Sequence, residues 1–398
     1  MTAPAILFHV QHLLGIGHVR RIAALARASA ARGCAVTVAS GGRPVAGLDL
    51  GAARLAQLPP ARAGDETFAQ ILDADGAPID DSWKARRRAM LLDLLDRLRP
   101  RVVVIEMFPF GRRAFRFELL PLIEAARALR PRPRIVCSVR DVLTKRREKR
   151  TAEAARWARA LFDAVLVHGD PAAIPFEASF PAAAEIADRL IHTGYVAAAP
   201  EAVAAATNAG RDEVIVSAGG GAVGAPLIEA ALDARAKVKR AAGLRWRVLA
   251  GANLDPTVYA RLATRDDDRL VVERARPDFP ALLANCAVAV SQAGYNTMMD
   301  IVQARARAVV VPFARGDQTE QSLRAGYFAR AGLVRTLAEN RLSPERLAEE
   351  IDAALAAPRP RADAIALDGA ARAAARLAAW AAGSNAGDDA GDDARDDG

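Results

Sequence analysis

Short runs of apolar, often β-branched residues recur along this chain, and the stretches between them are longer and carry helical spacing. In the first half the strand-like runs are residues 5–10, 35–40, 101–106, 134–138 and 164–168, with helical patterns notably at 19–32, 82–98 and 118–129. In the second half the runs are 213–217, 245–250, 270–273, 287–290 and 308–311, again with helices between them. Strand alternating with helix is the pattern of βαβ units and parallel sheets. Residues 197–212, rich in Ala and including Asn208-Ala209-Gly210-Arg211, show neither period and separate the two series. The expected architecture is α/β, with two doubly wound Rossmann-like domains facing a cleft. These are 1–196 and 213–363, joined by the linker 197–212. A last Ala/Arg helix over 364–383 could cross back onto the first domain, and the Gly/Asp-rich stretch 384–398 is expected to be a disordered acidic tail.

Composition narrows the class. A chain of 398 residues exceeds the usual span of one core, and 52% apolar with 26% charged residues is ordinary for a globular protein. Cys34, Cys137 and Cys286 are odd in number, far apart and set in or beside apolar runs, so they read as reduced core thiols. The N-terminus has no basic n-region, and no window approaches the roughly 18 apolar residues of a membrane span, which points to the cytoplasm. The formal charge of +8 hides an asymmetry: residues 384–398 carry −5, so the preceding 383 carry +13. Arg86-Arg87-Arg88 and Lys145-Arg146-Arg147-Glu148-Lys149-Arg150 read first as solvated helix faces, which could also touch anionic membrane peripherally. They lack interleaved aromatics and any nucleic-acid motif, so no nucleic-acid partner is expected. No His or Cys pairs stand at metal spacing.

In parallel sheets ligands bind beyond the carboxyl ends of strands, so the loops after strands carry the chemistry. After the first strand comes Leu14-Gly15-Ile16-Gly17-His18-Val19-Arg20-Arg21, a glycine turn running into a helix start whose amides favour anions. Arg20 stands where a dinucleotide fingerprint has its third glycine. The second strand ends in Ser40-Gly41-Gly42-Arg43 with no acid for an NAD ribose, although Arg43 could suit a 2′-phosphate. His18, in the first turn of that helix, is the candidate base, since a neutral imidazole there could take a proton from an attacking hydroxyl. Acceptor-side candidates are Gly15, Gly17, Glu106, Phe108, Arg140 and Asp141, all in loops after N-terminal strands.

The second domain repeats the device with Ser217-Ala218-Gly219-Gly220-Gly221, a phosphate cradle without the Lys-Ser or Lys-Thr of a P-loop. Further on, Ala293, Gly294, Asn296, Thr297 and Asp300 combine a glycine at a helix start with a carboxylate nearly two turns inside, a set suited to a phosphate and a ribose diol. Gln318, Glu320 and Gln321 follow in a loop crowded with groups that bond sugar hydroxyls.

On these motifs the chain resembles the nucleotide-sugar glycosyltransferases of family 28, relatives of the lipid II-forming N-acetylglucosaminyltransferase, most strongly over residues 275–332. The resemblance implies a GT-B fold. It places Ala293, Gly294, Asn296 and Thr297 against the donor diphosphate, Asp300 at the ribose and Gln318, Glu320 or Gln321 at the sugar. The uracil is read by backbone near Arg276. It further implies a UDP-sugar as co-substrate, no cofactor or metal, an acceptor hydroxyl of unidentified origin, and inversion at the anomeric carbon. The loop Gly15-Ile16-Gly17-His18-Val19-Arg20 also looks like that of nucleotide-sugar hydrolases in which the histidine activates water, so hydrolysis of a UDP-sugar is the alternative.

Overall fold

The computed structural model describes residues 3–13, 15–64, 70–145, 147–197, 208–219, 224–251, 254–314, 319–361 and 365–384. Strands covered by helices on both faces must be apolar throughout, and the apolar runs of this chain form the central strands of two parallel sheets. The N-terminal domain runs β1 (Ala5–Val10), α1 (Gly17–Ala31), β2 (Ala35–Ser40), β3 (Arg54–Gln57), β4 (Arg62–Ala63), β5 (Ile71–Leu72), α2 (Asp81–Leu98), β6 (Val102–Glu106), α3 (Arg116–Ala128), β7 (Arg134–Arg140), α4 (Glu148–Leu161), β8 (Ala164–His168) and β9 (Leu190–His192). Its seven-stranded sheet has the order β3-β2-β1-β6-β7-β8-β9, and β4 and β5 form a separate antiparallel pair. Alternate residues of each strand serve opposite cores. Leu7, Val103, Ile105 and Ile135 pack under α2, α3 and α4, whereas Ile6, Phe8, Val104 and Val136 pack with α1.

The second domain runs β10 (Val214–Ser217), α5 (Ala225–Ala234), β11 (Trp246–Ala250), α6 (Pro256–Ala263), β12 (Leu270–Arg274), α7 (Phe279–Asn285), β13 (Val288–Ser291), α8 (Tyr295–Gln303), β14 (Ala308–Val310), α9 (Glu320–Arg330), β15 (Arg335–Thr336) and α10 (Pro344–Ala356). The sheet order is β12-β11-β10-β13-β14-β15, parallel throughout. One of its two cores is shared between domains, because Val142, Ile174 and Tyr195 of the first domain cluster with Ile215, Met298 and Phe328 of the second. The last helix, α11 (Gly369–Ala381), lies on α1 in the N-terminal core through Ala373, Leu377 and Trp380. At the crossing, a side chain on Gly369 would meet the Gly194 carbonyl oxygen at 2.2 Å, so only glycine fits.

One basic cluster differs from its reading as a solvated face. Arg86 and Arg88 are exposed, but Arg87 is fully buried. Its Nε donates to Glu118 Oε2 at 2.6 Å and its Nη1 to the carbonyls of Gly41 and Pro59, both at 2.9 Å. The charge is buried because a buried carboxylate meets it. Cys34, Cys137 and Cys286 are buried free thiols. Among the described residues no helix is long and apolar enough to cross a membrane. The segment 198–207 of the expected linker and the tail from 385 onward lie outside the described residues.

Candidate active site

In each sheet the strand order reverses at the first strand, which lies between parallel neighbours from the two halves of the series, β1 between β2 and β6, and β10 between β11 and β13. A crevice opens at the carboxyl ends of strands at such a switch point. Part of the set singled out from sequence stands at these two crevices. The loop after β1 leads to Gly17 and His18 at the start of α1, and β6 ends on Glu106.

The His18 Nδ1 lies 2.6 Å from Glu106 Oε1, and the Arg21 guanidinium donates to the same oxygen. Glu106 is wholly buried, which alone would raise its pKa, but His18, Arg21 and Arg112 around it outweigh that and hold it down at about 2. Burial pushes His18 down to about 3, against the pull of Glu106. The imidazole is therefore neutral beside a carboxylate. An ionised carboxylate only accepts, so Nδ1 carries the proton and donates it to Glu106. That leaves the Nε2 lone pair, on a side chain still 19% exposed, as the proton acceptor. Arg21 lies three residues after His18 and so on the same helix face, a spacing that could have marked it from sequence.

The second crevice is formed by the loop after β10 and the start of α8. Gly219 has φ +67°, a conformation in which other side chains are strained, and a side chain there would stand 3.9 Å from Thr297 Oγ1. No side chain caps α8, whose N-cap is Gly294, and the space over Gly294 is open to 4 Å. The first amides of α8 have no partners within the helix, so this open end suits an anion. Asn296 reaches across to the first domain, its Nδ2 being 3.2 Å from where a side chain on Gly17 would begin. Asp300, half-buried in the next turn, is pushed up to about 7 by burial, with Arg20 of α1 pulling the other way. The third-glycine position thus places a guanidinium near the ribose candidate. Gly15 is exposed with open space above it.

Several expected site residues do other work. Phe108 is fully buried against Trp157 and Phe162, so it offers no face to an acceptor. Asp141 is also fully buried, in a two-point ion pair with Arg324 of α9, both contacts 2.8 Å. Arg140 pairs with Glu320 across the cleft. Gln321 commits its Oε1 to the backbone amides of Ala293 at 3.1 Å and Phe313 at 3.0 Å, clamping the two donor loops together. Arg276 folds onto Asp278 with contacts of 2.8 and 2.6 Å, which leaves backbone as its free feature. The pairings of Asp141 with Arg324 and of Arg140 with Glu320 were beyond sequence spacing because the partners stand 183 and 180 residues apart. Gly220, Gly221 and Gln318 lie outside the described residues. Among the described residues no group of three His, Cys, Asp or Glu side chains could hold a metal ion.

Comparison with known proteins bears on the fold and on the second domain. The model of the glycosyltransferase family 28 C-terminal domain matches residues 215–377. A stretch of 149 residues, 35% of this chain, is 28% identical to the UDP-N-acetylglucosamine--N-acetylmuramyl-(pentapeptide) pyrophosphoryl-undecaprenol N-acetylglucosamine transferase of Solidesulfovibrio magneticus. The match spans 40% of that relative's length. Among solved structures, CalG4, the calicheamicin glycosyltransferase, superimposes with a TM-score of 0.59 at 15% identity, covering 97% of this chain and 98% of that one. Acinetobacter baumannii MurG superimposes with a TM-score of 0.53 at 13% identity, covering 94% and 95%. Residues 215–377 thus resemble the glycosyltransferase family 28 C-terminal domain, and the chain as a whole has the GT-B fold.

Proposed function

We propose that this protein is a glycosyltransferase that moves a sugar from a UDP-sugar to an acceptor hydroxyl. The observation that carries the reading is the neutral His18 held by buried Glu106 at the mouth of one crevice, opposite the uncapped start of α8. The hydroxyl oxygen attacks the anomeric carbon as its proton passes to His18 Nε2. The bond from that carbon to the diphosphate breaks, and the leaving UDP is stabilised by the amides around Gly219 and Gly294. Glu106 fixes the ring and steadies the imidazolium that forms. A single displacement of this kind inverts the anomeric centre. Asp300 takes the ribose diol, and the start of α9, where Glu320 is held by Arg140 and Gln321 by the neighbouring loops, faces the sugar. The names of two matched proteins, an N-acetylglucosamine transferase and a calicheamicin glycosyltransferase, favour transfer over hydrolysis by water.

The test is turnover against binding in the same preparations. His18→Ala should lower turnover by roughly two to four orders of magnitude while UDP affinity barely moves, since the nucleotide sits on the other domain. Glu106→Gln keeps the shape but loses the charge, and should lower turnover with UDP affinity again unchanged. Near-normal turnover in both variants sinks the assignment. UDP release from a UDP-sugar that no panel of acceptors accelerates would transfer the same machinery to a hydrolase.

A further inference from the structure

The loop between β6 and α3 buries Phe108 and Phe110 and then carries Arg112, whose charge acts on both His18 and Glu106. Three guanidiniums converge here. Arg21 is neutralised by Glu106 and Arg140 by Glu320. Arg112 is partly buried, its side chain makes no hydrogen bond or ion pair among the described residues, and its buried Nε has no acceptor. Burial weakens its hold on the proton, and the charges of Arg140 and Arg21 work in the same direction, opposed only by Glu106. Glu106 is already shared with His18 and Arg21, so a further anion at the unpaired donors of Arg112 is favoured.

Resting on the transferase reading above, we propose that Arg112 receives an anionic substituent of the acceptor, a phosphate or carboxylate near the attacking hydroxyl. The acceptor is favoured over the donor because the groups whose charge interacts with Arg112, namely His12, His18, Arg21, Glu106 and Arg140, all belong to the N-terminal domain. A planar guanidinium with its donors free can take two oxygens of such a group at once, which fixes the acceptor's orientation as well as its position. Arg112 is then a determinant of acceptor class, and neutral alcohols are poor acceptors.

Inorganic phosphate is the probe. Calorimetric titration of phosphate into the full chain, with and without saturating UDP, should show saturable binding that survives UDP and weakens tenfold or more in Arg112→Gln, while UDP affinity is the same in both proteins. Phosphate binding that UDP abolishes, that is equal in Arg112→Gln, or that never saturates overturns the proposal. A preference for UDP-glucuronate over UDP-glucose that vanishes in Arg112→Gln moves the anion to the donor sugar and overturns the acceptor assignment. Should Arg112→Gln not fold, phosphate must slow phenylglyoxal labelling of Arg112 in the UDP-saturated wild type, and unchanged labelling rejects the site. Failure of UDP to bind counts against the nucleotide-sugar reading alone, because the titrations without UDP still decide Arg112.

Discussion

Asp300 carries a conflict between stability and function in one side chain. Burial holds its carboxyl at about 7 in the folded protein, whereas in an unfolded chain it titrates near ~3.9. Between those values the folded state binds more protons than the unfolded state, so stability falls as pH rises through the window and levels off above it. Asp300→Asn removes the penalty. It should stabilise the protein by about 2 to 4 kcal/mol at pH 8, with the gain shrinking toward zero as pH approaches 4. Urea unfolding at both pH values measures this, and a gain independent of pH would show that the charge is not the cause. The same variant should bind UDP one to two orders of magnitude more weakly, because a charge-assisted bond to the ribose is worth roughly 1.5 to 3 kcal/mol. A residue kept ionised at some cost to stability is expected where a ligand repays the burial with hydrogen bonds.

At the scale of elements, α11 joins the last part of the chain to its first helix. Its Trp380 is buried, stacks over the Arg134 guanidinium at 4.7 Å and fills a core containing Ile22, Leu25 and Val102. Trp380→Ala should cost about 3 to 5 kcal/mol. The loss should appear as earlier melting of the N-terminal domain, read by proteolysis of that domain, and unchanged protection there would mean that α11 is dispensable. Central elements were legible in the sequence because buried parallel strands are continuous apolar runs: the expected 5–10 and 35–40 coincide with β1 and β2, and 134–138 extends by two residues into β7. The short strands β3, β9 and β15 were not. Each lies at a sheet edge, has one neighbouring strand and is at most four residues long, so β3 reads Arg-Leu-Ala-Gln with two exposed positions and no run to see. The site was half legible in the same sense. His18 and Glu106 stood out singly from their places after strands, but their pairing spans 88 positions and only the switch point of the sheet brings them together.

For the whole molecule the question is what fixes two domains into one active cleft. The structure concentrates the answer at the start of α8. Tyr295 is nearly buried, its hydroxyl donates to the His168 carbonyl at 3.1 Å and accepts from the Val196 amide at 3.0 Å, and both partners are in the first domain. Its ring has Arg21 at 5.8 Å and Arg324 at 5.5 Å. Arg324 also donates to the Ala293 carbonyl at 3.2 Å while its other donors hold Asp141, so the loop proposed to seat the donor is tied to the domain that carries His18. Asp141→Ala should then do more than remove one contact. It leaves a fully buried guanidinium without a counter-charge, a loss of about 3 to 5 kcal/mol. Because the pair lies between the domains, the loss should fall on their coupling: calorimetry should show one unfolding transition in the wild type and two in the variant. Replacing both partners by leucine should recover much of the stability, since the desolvation of the charges disappears with them. The coupling should return only in part, because the ion pair's directionality goes too. A single transition at an unchanged midpoint in Asp141→Ala would show that the shared hydrophobic core around Tyr195 and Phe328, rather than the ion pair, holds the cleft together.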